Sequence, residues 1–164
     1  MLHTAFIGLG SNLEDPSSQL QRAFADLDGL PETRLVARSS LYRSAPVGYL
    51  DQPDFVNAVA QVETGLTPQA LLQSLLDIEH RHGRERTFRN APRTLDLDVL
   101  LYDDLQLHEH GLTIPHPQMH LRAFVLQPLL ELAPGCVISG IGSAAQALDA
   151  CGDQMLERMQ DVAG

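Results

Sequence analysis

No lysine and no tryptophan occur in the 164 residues, cysteine appears only as Cys136 and Cys151, and aromatics make up 5% of the chain. Each shortage excludes something. Without lysine there is no Gly-x4-Gly-Lys-Ser/Thr phosphate loop. Two thiols make no disulfide framework, so reduced cysteines in a cytoplasmic protein are expected. The longest apolar runs, such as Ala123–Leu126 and Val99–Leu101, are far too short to span a bilayer. The N-terminal stretch Met-Leu-His-Thr-Ala-Phe-Ile-Gly has neither a basic region nor a small-residue cleavage site, so no secretory signal is expected. What the chain does have is 44% hydrophobic and 20% charged residues, which excludes a disordered polymer. Its length suits one domain over residues 1–164, able to bury roughly 70% of the surface of the unfolded chain.

The formal charge is −10, which repels nucleic acid and anionic membrane as a whole. All eleven basic residues are arginine. Arg81, Arg84, Arg86, Arg89 and Arg93 fall within thirteen residues that hold one acid, Glu85, leaving that stretch at +4. The next eleven residues hold Asp96, Asp98, Asp103 and Asp104 and no base, at −4. A sharp dipole inside an acidic chain asks for a chemical reason.

Residues 3–9 read as a buried first strand, ended by Gly8, Gly10, Ser11 and Asn12 as a tight turn. Asp15 and Pro16 open a helix whose apolar residues Leu20, Phe24 and Leu27 share a face, and Gly29 stops it. Residues 34–43 and 55–62 read as strands. Thr67-Pro68 starts a second helix, with a wide stripe from Leu71 to Ile78, ended by Gly83. Leu95–Tyr102 is a strand, residues 105–120 are mostly loop, Arg122–Leu132 is helical with Pro128 as an interruption, and Ser143–Ala150 is a weak last helix. The order β-α-β-β-α-β with C-terminal additions is that of an α+β, ferredoxin-like antiparallel sheet with helices on one face.

On the strand from Leu95, alternate residues share a face, so Asp96 and Asp98 point one way and Leu95, Leu97 and Val99 point into the core. Paired carboxylates suit Mg2+ held jointly with substrate phosphates. Taken alone, the pair reads as a solvated acidic strand face. Guanidinium groups match phosphate oxygens, and one-signed arginines directly before the carboxylates favour a nucleoside triphosphate site. His116, rigid between Pro115 and Pro117, can donate to a phosphate or sit on a surface turn. Phe55 and Asn57 share a strand face, where an aromatic can stack on a flat heterocycle and an amide can read its edge; a core Phe and a strand-end Asn fit equally. The His108-Glu109-His110 triplet lacks further ligands and reads as loop.

Gly10-Ser-Asn12-Leu13, Asp51-Gln-Pro-Asp-Phe-Val-Asn57-Ala, Arg84-x-Arg86, Pro92-Arg-Thr-Leu-Asp96-Leu-Asp98 and Pro115-His116-Pro-x-Met119-x-x-Arg122-x-Phe124 stand in this order. Together they resemble the 6-hydroxymethyl-7,8-dihydropterin pyrophosphokinase family of folate biosynthesis, from about residue 4 to about residue 134. The resemblance implies a ferredoxin-like fold and transfer of pyrophosphate from ATP to the pterin hydroxymethyl group, with two Mg2+ and release of AMP. It implies Asp96 and Asp98 as metal ligands. It implies Arg84 and Arg93 as catalytic phosphate ligands, with His116 and Arg122 near the nucleotide phosphates and Val99 and Thr113 near adenosine. Asn57, Phe55 and Phe124 would hold the pterin, and Ser44 and Val47 would meet it largely through backbone groups. Departures from the family pattern are Asn90 where a loop tryptophan stands, which leaves an aromatic clamp lost or supplied by Phe88, Leu76 for a glutamine, Phe55 for a tyrosine, and Pro117 for an aromatic. Nucleic acid and membrane are not expected partners, and nothing demands more than a monomer. Two other classes remain open at this point: a non-catalytic pterin- or nucleotide-binding paralogue, and a metal-dependent phosphohydrolase.

Overall fold

The computed structural model describes residues 2–12, 15–44, 55–82, 95–152, 154 and 156–159. The elements run β1 (His3–Ser11), α1 (Pro16–Asp28), β2 (Thr33–Arg38), β3 (Tyr42–Ser44), β4 (Phe55–Thr64), α2 (Pro68–Arg81) and β5 (Asp96–Tyr102). Then follow β6 (Leu107–Glu109), β7 (Leu112–Ile114), α3 (Ala123–Leu132), β8 (Val137–Ile138), β9 (Gly142–Ser143), α4 (Ala144–Asp149) and β10 (Leu156–Arg158). Among the described residues six strands form one antiparallel sheet in the order β10-β3-β4-β1-β5, with β2 also paired to β4. Among the described residues β5 is thus an edge strand.

Alternation decides which face each side chain serves. Ala5, Ile7 and Leu9 of β1, Val56, Ala58, Ala60 and Val62 of β4, and Leu97 and Val99 of β5 share a core with Leu20, Phe24 and Leu27 of α1 and Leu71, Leu75 and Ile78 of α2. Each Val, Leu, Ile or Phe among them, fully buried, contributes about 1.5–3 kcal/mol. Val59, Leu100 and Leu101 turn the other way and pack with Met119, Leu126, Leu129 and Ile138. A register shift opposite Phe6 and Ile7 lets β5 present Leu100 and Leu101 together to this second core, although they are adjacent in sequence.

Several local expectations are corrected. Asp15 does not cap α1 with its side chain; it sits at φ 60°, and its carbonyl accepts from Gln19 N–H at 3.1 Å. A capping residue normally has extended backbone, as Thr67 does at φ −67° and ψ 162°, whereas Asp15 is left-handed. Thr67 does cap α2, its Oγ1 accepting from Ala70 N–H at 3.1 Å, and α2 closes at His82; Gly83 lies outside the described residues. The expected single strand over 34–43 is two strands. Arg38 faces Ala60 and Tyr42 faces Asn57, so the chain takes four steps where β4 takes three. Ser39 fills the gap, with its N–H donating to Val59 C=O and its Oγ accepting from Val59 N–H, both at 2.9 Å. Pro128 does not interrupt α3. A proline there forfeits one helical bond, at about 3 kcal/mol, while Val125, Leu126 and Leu129 are buried beside it.

Candidate active site

The face of the sheet opposite α1 and α2 carries a trough. In β1 the interior positions Gly8 and Gly10 have no side chain, and the register sets Gly10 between Asn57 on β4 and Asp96 on β5, and Gly8 between Val59 and Asp98. A Cβ on Gly10 would stand 3.0 Å from Asn57 Oδ1, and one on Gly8 would stand 3.3 Å from Leu100 Cδ2. Glycine weakens a strand interior and marks a close approach. The reading of these glycines as a turn that ends the first strand is therefore corrected: β1 runs through to Ser11, and both glycines line a cavity of about 630 Å3.

Ser44, Phe55, Asn57, Asp96, Asp98, His116, Arg122 and Phe124 all line that cavity. β4 supplies Phe55 and Asn57 from one face, and β3 brings Ser44 opposite Phe55. Asn57 is buried, and its Nδ2 donates to Ser44 Oγ at 2.9 Å. That bond ties the amide to β3, with Oδ1 beside Gly10. Phe124 enters from α3, with the Arg122 guanidinium 5.6 Å from its ring centroid, a cation–π contact.

Asp96 and Asp98 flank Leu97, whose side chain is buried among the residues of α1 and α2. Their i, i+2 spacing sets their Cα atoms about 6.6 Å apart on one face. The peptide between them is anchored from behind: Leu97 N–H donates to Glu79 Oε2 at 2.7 Å, and Glu79 on α2 is 2% exposed. Sequence reasoning missed Glu79. The signal was there, since it falls one turn after Leu75 within an otherwise apolar stripe.

His116 follows the cis Ile114–Pro115 peptide, and its N–H donates to Leu100 C=O at 3.0 Å on the free edge of β5. Its Nδ1 accepts from Gln118 N–H at 3.1 Å, so a neutral ring carries its proton on Nε2, as a donor. Burial first, then the nearby Arg122 charge, pulls its pKa below the ordinary histidine value, with Asp96 opposing.

Val99 and Thr113 do not line the cavity. The Val99 side chain turns into the core with α1 and α2, and Thr113 sits in the β6–β7 hairpin opposite His108. Val47, Arg84 and Arg93 lie outside the described residues, as do Phe88 and Asn90. Gln118, Leu121 and Gln154 line the cavity and were not anticipated.

Among the described residues no three His, Cys, Asp or Glu side chains converge as a metal cage. Two carboxylates with room in front of them are instead the donor set for Mg2+ that keeps its remaining positions for phosphate oxygens and water, so the residues fit such an ion.

The model of the 7,8-dihydro-6-hydroxymethylpterin-pyrophosphokinase family matches residues 6–134. This chain belongs to that family. It is 46% identical over 159 residues to the 2-amino-4-hydroxy-6-hydroxymethyldihydropteridine pyrophosphokinase of Pseudomonas aeruginosa, covering 97% of this chain and 98% of that one. It is 50% identical over 135 residues to the enzyme of the same name from Haemophilus influenzae, covering 82% and 84%. Among solved structures it resembles the wild-type HPPK-DHPS of Plasmodium falciparum with a TM-score of 0.70. That likeness, at 13% identity, covers 92% of this chain and 41% of the other, and speaks for the fold alone. The chain thus spans under half the length of that solved protein. As a member of the pyrophosphokinase family it has a mixed α/β structure on an antiparallel sheet, and no described helix is long and apolar enough to cross a membrane.

Proposed function

We propose that this chain transfers the pyrophosphoryl group of ATP to the hydroxymethyl oxygen of 6-hydroxymethyl-7,8-dihydropterin, releasing AMP, as a step of folate biosynthesis. The observation that carries the reading is one cavity holding two kinds of equipment: the carboxylate pair Asp96 and Asp98, and across Gly10 from it a buried, oriented amide, Asn57, flanked by Phe55 and Phe124. A triphosphate needs the first and a flat, hydrogen-bonding heterocycle needs the second.

In this reading the hydroxymethyl oxygen gives up its proton to solvent and forms a bond to the β-phosphorus while the bond from that phosphorus to the α,β-bridging oxygen breaks, and AMP leaves with that oxygen. Asp96 and Asp98 would hold two Mg2+, which when bound offset triphosphate charge and polarise the phosphoryl group. The remaining work belongs to the chain. Arg122 and the proton on His116 Nε2 meet phosphate oxygens from the α3 side. Arg84 and Arg93 supply further guanidinium groups to the same phosphates and stabilise the charge that develops on transfer. Asn57 pairs with the pterin edge, Phe55 and Phe124 stack on its faces, Ser44 keeps the amide in register, and Val47 contacts the ring through its backbone. Holding both substrates in line is itself worth several orders of magnitude. Val99 and Thr113 serve the adenosine end through backbone groups, because the Val99 side chain is committed to the core.

We read the sheet as ferredoxin-like within a single unit over residues 1–164. The support is the antiparallel run from β2 and β3 through β4 and β1 to β5, with α1 and α2 packed on one face. Two free thiols suit a reducing cytoplasm.

The test is direct. ATP, Mg2+ and the reduced pterin alcohol should yield AMP and pterin diphosphate in equal amounts, and no AMP without the pterin. Ligand binding without AMP would leave a non-catalytic binder, and phosphate release independent of pterin would make the protein a phosphohydrolase.

A further inference from the structure

The C-terminal thirty residues lie beyond every motif noted above, yet one of their side chains reaches the cavity. Gln154 lines it, and its carboxamide is engaged at both ends. Nε2 donates to Leu121 C=O at 2.8 Å, and Oε1 accepts from Ala123 N–H at 2.9 Å. Arg122 stands between these two partners. It forms the corner between a short 3-10 helix, Met119–Leu121, and α3, with extended backbone at φ −126° and ψ 110°. Arg122 gives α3 no side-chain cap, so the first N–H of the helix is satisfied by Gln154, from 31 residues downstream. Gln154 is itself tied down, its N–H donating to Cys151 C=O at 2.9 Å, and Cys151 is buried.

We propose that Gln154 is a positioning residue that bridges the backbone on both sides of Arg122 and so aims its guanidinium at the triphosphate. The inference rests on the reading of Arg122 as a phosphate ligand. A corner residue between two helical segments can swing about its own φ and ψ. Tying the preceding carbonyl and the following N–H to one rigid amide removes that freedom and spares the entropy of ordering the guanidinium on binding. The role needs a donor and an acceptor on one planar group, which glutamine has. Glutamate keeps only the acceptor, and leucine has neither.

The test is a double-mutant cycle on the dissociation constant of a nonhydrolysable α,β-methylene ATP analogue with Mg2+, read by calorimetry on the full chain. Gln154→Leu should weaken binding about tenfold, the value of one to two lost hydrogen bonds, and Gln154→Glu should fall between it and wild type. In an Arg122→Ala background the same Gln154→Leu change should cost nothing further, because the group it aims is gone. Thermal denaturation without ligand confirms that each variant is folded; if Gln154→Leu is not, Gln154→Glu carries the cycle. An unchanged dissociation constant for Gln154→Leu, an equal loss with and without Arg122, or an Arg122→Ala change without effect on binding overturns the proposal. Failure of the transferase reading shows separately, as wild-type protein that binds the analogue yet makes no AMP from ATP and pterin.

Discussion

Replacing Gly10 by alanine tests the trough with one methyl group. The new Cβ would lie 3.0 Å from Asn57 Oδ1, with Val56 C=O next at 4.0 Å and no other described atom outside the neighbouring residues closer than that. Ordinary contact begins near 3.4 Å, so the Asn57 amide must retreat by about 0.4 Å or turn. It has little room: Asn57 is 6% exposed and its Nδ2 already donates to Ser44 Oγ at 2.9 Å. Gly10 is not in the left-handed region, so the backbone adds no strain. The cost falls on the hydrogen bonding of a buried amide, about 1–3 kcal/mol, which is about 5- to 150-fold in pterin affinity. Asp96 is not within 4 Å of the added methyl, so affinity for an ATP analogue with Mg2+ should change far less. Calorimetry with each ligand on Gly10→Ala separates the two. Undiminished pterin binding, or equal losses for both ligands, would refute the assignment of Asn57 as the pterin reader.

Glu79→Leu leaves the buried Leu97 N–H without its acceptor and should cost about 1–3 kcal/mol of stability, with weaker Mg2+-dependent nucleotide binding; Glu79→Gln, which retains an acceptor, should recover most of both in denaturant melts and calorimetry. Asp103 accepts from Thr4 N–H at 2.8 Å and pairs with His3 Nδ1 at 2.6 Å, just past the far end of β5 from the site. Asp103→Ala should therefore lower the melting temperature and leave turnover intact, and an equal loss of turnover in Asp98→Ala and Asp103→Ala would argue against a specific carboxylate pair. His116 should titrate, by NMR, below the ordinary histidine value, because burial disfavours its charged form. The sign follows: its neutral form stabilises the fold fully above the unfolded value, and that contribution is lost as pH falls through the depressed folded value. A midpoint above the ordinary histidine value would contradict this.

What the sequence made legible were features written in local periodicity. The first strand, the two long helices, the cap at Thr67 and the outward alternation of Asp96 and Asp98 about Leu97 all follow from patterns a few residues long, whereas the strand expected over 34–43 is two. The features it hid depend on distant partners. Gly8 and Gly10 look like turn residues in isolation, and only the opposed Asn57 and Leu100 reveal them as a trough floor. The break between β2 and β3 is set by Ser39 meeting Val59, and by the Glu131 carboxylate, which accepts from Ser40 N–H at 2.9 Å and Tyr42 O–H at 2.7 Å. The same pairing with Glu131, after burial itself, pushes the Tyr42 pKa up to about 12. Pro128 reads as a breaker because propensity sees the lost bond and not the packing that compensates it. Gln154 sits in a polar tail with no motif, and β10 acquires meaning only when it pairs with β3.

The central claim is that Asp96 and Asp98 grip magnesium shared with a triphosphate in this cavity. Calorimetry of a nonhydrolysable ATP analogue, with Mg2+ and then with a chelator, on wild type, Asp96→Asn and Asp98→Asn tests it most directly. Wild type should bind the analogue only with Mg2+, and both variants should lose that binding. Equal affinity without the metal, or undiminished Mg2+-dependent binding in either variant, would contradict it.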